Sequence, residues 1–287
     1  TDMFPQEEGR VKTKTFFENW NKYQANIENG YFKQFVRNTL QLNNGNVQNN
    51  EGRPEMAFSE IGRLANVAAT DWSWGALIAD LDNDGQKDIF VANGIAKDIT
   101  DQDYIQYTSS AYADIRQQIL RKEDNVITRL IDLIPSHAIS NYAFRNNGDL
   151  TFSNQAQAWG LDEPSFSNGA AYGDLDGDGD LDLVVNNVNM PCFVYRNETA
   201  QQYPQHKYLK LLLQGEGKNR FGIGSKVTVY YDNKLIYQEQ MPARGFESTV
   251  DNNLVFGLGE CSMIDSVVVL WPDGKKTLLQ ELAPNQQ

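Results

Sequence analysis

The chain has 287 residues, 40% of them hydrophobic, which suits one large or two ordinary globular domains. Acidic residues outnumber basic ones 38 to 25 for a formal charge of −13, and no basic patch breaks this balance. A phosphate backbone or an anionic membrane surface is therefore excluded as an expected partner. No apolar run approaches the roughly 20 residues of a spanning helix, and the N-terminus lacks a basic start followed by an apolar centre.

Thr1-Asp2-Met3 reads as the tail of a strand, so an upstream portion is expected. Over residues 13–35, Phe16, Trp20, Tyr23 and Ile27 recur at spacings of four, three and four, which predicts a helix with one apolar face. Asn43-Asn44-Gly45 and, further on, Asn146-Asn147-Gly148 each suit a tight hairpin, because Asn and Gly tolerate positive φ.

Residues 58–93 lie over residues 152–187 without a gap at a shift of 94, which marks an internal repeat of strand, turn, strand, acidic loop and strand. Between the copies, residues 100–140 predict helix: Thr100 with Asp103 reads as a capping box, Ile115, Ile119, Leu130, Ile131 and Ile134 supply apolar faces, and Pro135 ends the stretch. A third copy begins at Phe193-Val194-Tyr195-Arg196-Asn197, echoing Ala143-Phe144-Arg145-Asn146, and breaks off. From Lys207 onward the punctuation changes. Strands are predicted over residues 208–213, 226–231, 235–240, 255–258 and 267–271, with turns at Gly222, Gly224, Gly257, Gly259 and Asp273-Gly274, as a separate small β-sandwich or barrel.

The acidic loops carry the chemistry. Asp80-Leu81-Asp82-Asn83-Asp84-Gly85-Gln86-Lys87-Asp88 and Asp174-Leu175-Asp176-Gly177-Asp178-Gly179-Asp180-Leu181-Asp182 share carboxylates at positions one, three, five and nine. A loop around a hard cation needs oxygen donors on alternate residues, a glycine at the sharp turn and a final bidentate carboxylate. At position seven, Gln86 or Asp180 is expected to offer its backbone carbonyl, so the side chain there is free to vary. An EF-hand is excluded, since its position twelve needs a Glu and here holds Val91 or Val185 in strand-like sequence. Two bound Ca²⁺ ions would move the charge from −13 to −9, and flexible all-protein ligation favours calcium over magnesium.

With Asp71-Trp72-Ser73-Trp74-Gly75-Ala76 and Ser167-Asn168-Gly169-Ala170 before them, these loops resemble FG-GAP (VCBS) repeats of integrin α-subunit propellers and bacterial surface proteins. The resemblance implies four-stranded propeller blades whose loops hold Ca²⁺ through Asp80, Asp82, Asp84, Gln86 and Asp88 in one blade and Asp174, Asp176, Asp178, Asp180 and Asp182 in the other. The run from Asn219 to Val227, Phe256-Gly257-Leu258-Gly259 and the stretch from Val267 to Gly274 are similar to the ASPIC/UnbV domain of cartilage acidic protein and its bacterial relatives.

The expected fold is thus mainly β: partial β-propeller blades with calcium loops and helical insertions, plus a small C-terminal β-sandwich or barrel. In segments, residues 1–38 hold the end of a preceding blade and a helix, 39–97 a blade, 98–140 the helical insertion, 141–200 a blade, and 205–287 the ASPIC/UnbV-like domain. Such propellers usually close with about seven blades, so blades are expected upstream, or the helices cover the open faces.

The expected function is a calcium-stabilised interaction module with a protein or glycan partner, extracellular or at the surface of a bacterial cell, in the outer membrane or periplasm. Trp72, Trp74, Tyr104 and Tyr107 are the candidate contacts. The alternative is a propeller-based polysaccharide hydrolase or lyase using calcium. No enzyme is expected, because no carboxylate stands apart from the metal sets and neither His137 nor His206 sits in a nucleophile's spacing. Asn197-Glu198-Thr199 is a glycosylation sequon that also reads as a polar turn, and Cys192 and Cys261 are too few for a disulfide scaffold.

Overall fold

The computed structural model describes residues 2–14, 20–32, 35–49 and 51–287. It divides into two compact units, one of Thr1–Ser73, Asn93–Ser140 and Glu163–Phe166, the other of Trp74–Ala92, Asn141–Asp162 and Ser167–Gln287.

The first unit holds helices α1 (Glu8–Thr13) and α2 (Trp20–Glu28), strands β1 (Gln41–Gln48) and β2 (Pro54–Glu60), and helices α3 (Gln102–Ser110), α4 (Tyr112–Leu120) and α5 (Val126–Asp132). Of the helix expected over residues 13–35, α2 covers Trp20, Tyr23 and Ile27 and ends at Glu28, α1 ends at Thr13, and Phe16 lies outside the described residues. Helix α2 buries no side chain; Trp20 is 71% exposed and stacks on Tyr23, which stacks on Phe35. The helical period was present without a core to receive it.

Asn43-Asn44-Gly45 makes a bulge inside β1, between the pairs Asn43↔Phe58 and Asn46↔Met56, and not the expected hairpin turn. Between β1 and β2 the side chain of Asn49 accepts from the backbone of Glu51 and Arg53 instead. The capping box also shifts. Asp101 caps α3 through the N–H groups of Asp103 and Tyr104, while Thr100 donates to Asp98. The helical stretch breaks at Ala111 and at Asn125, which takes a left-handed φ of 62°, and Pro135 follows its end. Arg10 pairs with Asp71, and Lys14 with Asp98, as largely buried ion pairs.

The second unit is built from three sets of antiparallel strands. β3 (Ser73–Ala79), β4 (Asp88–Asn93), β5 (Tyr142–Asn146) and β6 (Phe152–Asn154) form one sheet in chain order, and β7 (Ser167–Gly173), β8 (Asp182–Asn187) and β9 (Phe193–Tyr195) another. Asn146-Asn147-Gly148 opens the β5–β6 hairpin as expected, with Gly148 at φ +81°. The helical insertion, which lies between residues 58–93 and 152–187 as expected, enters the chain between β4 and β5 of one sheet. A repeat can be cut at any point of its period, and the sheet runs from Ser73 to Asn154.

After α6 (Thr199–Gln202) come β10 (Lys207–Leu211), β11 (Lys226–Tyr231), β12 (Lys234–Glu239), β13 (Leu254–Gly259), β14 (Ile264–Leu270) and β15 (Lys276–Leu282). They form a β12-β11-β14-β15 sheet and a β10-β13 pair, so the C-terminal strands make open sheets and not a barrel. Asp232 and Asn233, both at positive φ, make the β11–β12 turn.

One core joins the meanders: Leu77, Phe90, Leu181 and Val185 pack among Ala79, Ala92, Ala143 and Ala170, whose small side chains let the sheets approach. A second core of Leu209, Val227, Phe256, Ile264 and Val267 lies within the C-terminal sheets. All six residues of β4 are buried, which fixes the strand that begins on the last aspartate of the first loop.

Candidate metal centre

Each acidic loop links two neighbouring strands of a meander, the first between β3 and β4, the second between β7 and β8. Position twelve, Val91 or Val185, lies buried in β4 or β8, as excluding an EF-hand requires. The loops turn on Gly85 and Gly179, at φ +93° and +92°.

Asp80, Asp82 and Asp88 each place one carboxylate oxygen within 4.8 Å of the others, and Asp174, Asp176 and Asp182 do the same. Positions one, three and nine thus converge in both loops. Asp84 and Asp178 stand outside the triplets and accept the backbone N–H groups of Gln86 and Asp180. Asp180 turns its side chain toward α6, accepting from Ala200 N at 2.9 Å.

Internal hydrogen bonds shape both loops alike. Asp88 Oδ2 accepts from Leu81 N at 2.9 Å, and Asp182 Oδ2 from Leu175 N at 2.8 Å. Across the sheet, Asn146 N donates to Asp88 Oδ1 at 2.9 Å and Asn197 N to Asp182 Oδ1 at 2.8 Å. The echo between residues 193–197 and 143–146 is therefore structural. Its arginines match as well: Arg145 bonds Asp82 at 2.6 Å and Asp84 at 3.1 Å, and Arg196 lies 3.8 Å from Asp176.

Two of the carboxylates keep a buried oxygen without a hydrogen-bond partner. Asp80 is 2% exposed and its Oδ1 has no hydrogen-bond partner, and Oδ1 of the fully buried Asp180 has none either. Burial, with neighbouring aspartates adding to it, pushes Asp80 well above the usual carboxylate range and Asp88 and Asp180 up to about 7. An unpartnered buried oxygen in an all-oxygen donor set fits a hard divalent cation.

The C-terminal strands close over both loops, a role the loop sequences do not foreshadow. Tyr208 packs its ring on Gly179, and the hydroxyl of Tyr231 comes up to Gly85, so neither glycine has room for a Cβ. Gly257 leaves the space that Asp80 and Asn83 fill, and Gly259 N donates to Asn83 O at 2.9 Å. Lys210 Nζ reaches Asp174 Oδ2 at 2.7 Å, and His206 Nδ1 donates to the carbonyl of Asp82 at 2.6 Å. The histidine is thus a clamp on a loop backbone. The only prior sign of these contacts was the glycines at 257 and 259, readable as turns.

Of the four candidate contact aromatics, Trp74 packs on Phe246 at 5.1 Å and Tyr104 donates to Leu130 O. Tyr107 is 45% exposed and lines, with Tyr104 and His137, an open cavity of about 710 Å³ in the first unit. Both cysteines are free thiols, Cys192 exposed and Cys261 buried. The sequon nitrogen, Asn197 Nδ2, donates to Leu81 O at 2.7 Å and Leu181 O at 3.1 Å, so both of its hydrogens are engaged inside the fold.

No helix among the described residues is long and apolar enough to cross a membrane. No curated protein matches the chain. Two family models do, one across the second acidic loop and one across the C-terminal strands, while the first loop lies outside the matched residues. Residues 131–185 match the family model of an FG-GAP-like repeat, and residues 215–287 match that of ASPIC and UnbV.

Proposed function

We propose that both acidic loops hold Ca²⁺ and that the chain is a calcium-stapled binding module of propeller type, working outside the cytoplasm on a protein or glycan partner. The observation that carries this reading is Asp80, whose buried, unpartnered Oδ1 stands in a cluster with Asp82 and Asp88. A carboxylate so desolvated needs a cation to remain charged. Asp80, Asp82 and Asp88 are the first ligands in one loop and Asp174, Asp176 and Asp182 in the other, with Asp84, Asp178 and the backbone carbonyls of Gln86 and Asp180 completing the oxygen sets. The ion would supply charge neutralisation and join neighbouring strands.

Binding is favoured over catalysis because the loop carboxylates are spent on loop backbone, on Arg145 and on Lys210. The two matched segments are typical of extracellular or surface proteins, where free calcium is high enough to fill such loops. Thermal melts of chelator-stripped protein, with and without added calcium, test the reading. Calcium should raise the melting temperature by several degrees, in line with linkage between binding and folding, and magnesium should raise it less. An unchanged melt would sink the assignment.

A further inference from the structure

Resting on that calcium reading, we propose that Lys210 is a built-in counter-cation of the second loop that makes the two calcium sites unequal, the first tight and the second weak. Alternation along β10 sends Leu209 into the C-terminal core and turns Tyr208 and Lys210 to the other face, onto Gly179 and Asp174. The Lys210 side chain is 11% exposed and that of Asp174 0%. Both oxygens of Asp174 are taken, Oδ1 by Gly177 N at 2.8 Å and Oδ2 by the ammonium. Strand β10 is fixed by its pairing with β13 and by the bond from Lys210 N to Gln286 O, which holds the base of the Lys210 side chain in place.

Position one of the first loop has no such partner, since Asp80 keeps its Oδ1 free. The cation nearest that cluster, Arg145, is 43% exposed and sits at positions three and five, where its head can swing into solvent as an ion enters. Among the described residues Lys87 of the first loop forms no ion pair with Asp80, whereas Lys210 sits 2.7 Å from Asp174. Arg196, 55% exposed, is bonded to Glu198 and lies 3.8 Å from Asp176, so the fixed cation of the second loop is Lys210. Calcium enters the first loop against a retreating charge and the second against a fixed, desolvated one.

Calorimetric titration of the stripped full chain with calcium chloride tests this. The wild type should show two classes of site separated on the order of tenfold or more. Asp80→Asn should remove the tighter class and leave the weaker. Lys210→Met, which keeps the packing of the stem, should tighten the weaker class by a similar factor, and Lys210→Arg should leave it weak. Two equal wild-type sites, loss of the weaker class in Asp80→Asn, or a Lys210→Met titration like wild type would each overturn the proposal while leaving the calcium reading intact. No calcium binding at all would overturn both. If Lys210→Met fails to fold, the wild-type and Asp80→Asn titrations decide alone.

Discussion

Asn83 donates its side-chain amide to the backbone carbonyl of Gly179 at 3.2 Å, so the fourth residue of one acidic loop is bonded to the sixth of the other. Asn83 is 2% exposed and takes φ 55°, a left-handed conformation that Asn adopts at little cost. The two loops are thereby bonded directly to each other.

Asn83→Gly keeps the backbone conformation and removes the bond, so it should lower unfolding stability by about 1–3 kcal/mol. Asn83→Ala adds left-handed strain and should cost more. Urea unfolding of both variants checks the order; an Ala variant as stable as the Gly variant would show that the backbone is not held at positive φ.

Gly179→Ala places a methyl group in the ring of Tyr208 at a position of φ +92°, and should destabilise by about 2 kcal/mol or more. Tyr208→Ala in the same chain should recover part of that loss and leave the backbone strain. A double-mutant cycle measures this coupling, and strict additivity of the two changes would mean that ring and glycine do not touch.

Asn197 ties Leu81 and Leu181 through one amide, joining both loops at a second point. Asn197→Ala leaves the Leu181 carbonyl without this donor, while Leu81 O keeps the Thr199 hydroxyl, and should cost about 1–3 kcal/mol. For the same reason the folded chain should be a poor glycan acceptor at Asn197. Mass spectrometry of the purified folded chain after incubation with oligosaccharyltransferase and glycan donor reads this directly; quantitative glycosylation would show that the amide is free.

Metal-free stability should fall as pH rises. Asp88 and Asp180 titrate near 7 when folded, against an ordinary value of 3.8, so the folded chain binds more protons between those limits. Their contribution is fully present below the ordinary value and is lost as pH rises through about 7. Melts in calcium-free buffer between about pH 5 and pH 8 should show a falling melting temperature, and saturating calcium should flatten or reverse the slope. A calcium-free melting temperature that climbs with pH contradicts the burial of these carboxylates.

The sequence by itself determined the local pieces. Carboxylate spacing with a glycine at position six specifies a loop that curls on itself, because alternate side chains and one positive φ suffice. Likewise, the match between residues 58–93 and 152–187 carried over into β2, β3, β4 and their counterparts β6, β7, β8. Where a local signal lacked a packing partner it misled. The apolar spacing of α2 faces solvent, Asn43-Asn44-Gly45 bulges without turning, and β15, whose residues are almost all exposed, showed no alternation to read.

Only the tertiary structure decided what the loops rest on. Arg145 and Asn146 lie about sixty residues from the carboxylates they bond, and Lys210, Tyr208 and Tyr231 come from strands with their own core and their own period. Spacing reports on neighbours along the chain, and a charge met across two sheets leaves no mark in it. The carboxylates are written in the sequence; which of them meets a lysine at hydrogen-bond distance, Asp174 and not Asp80, is set by the fold.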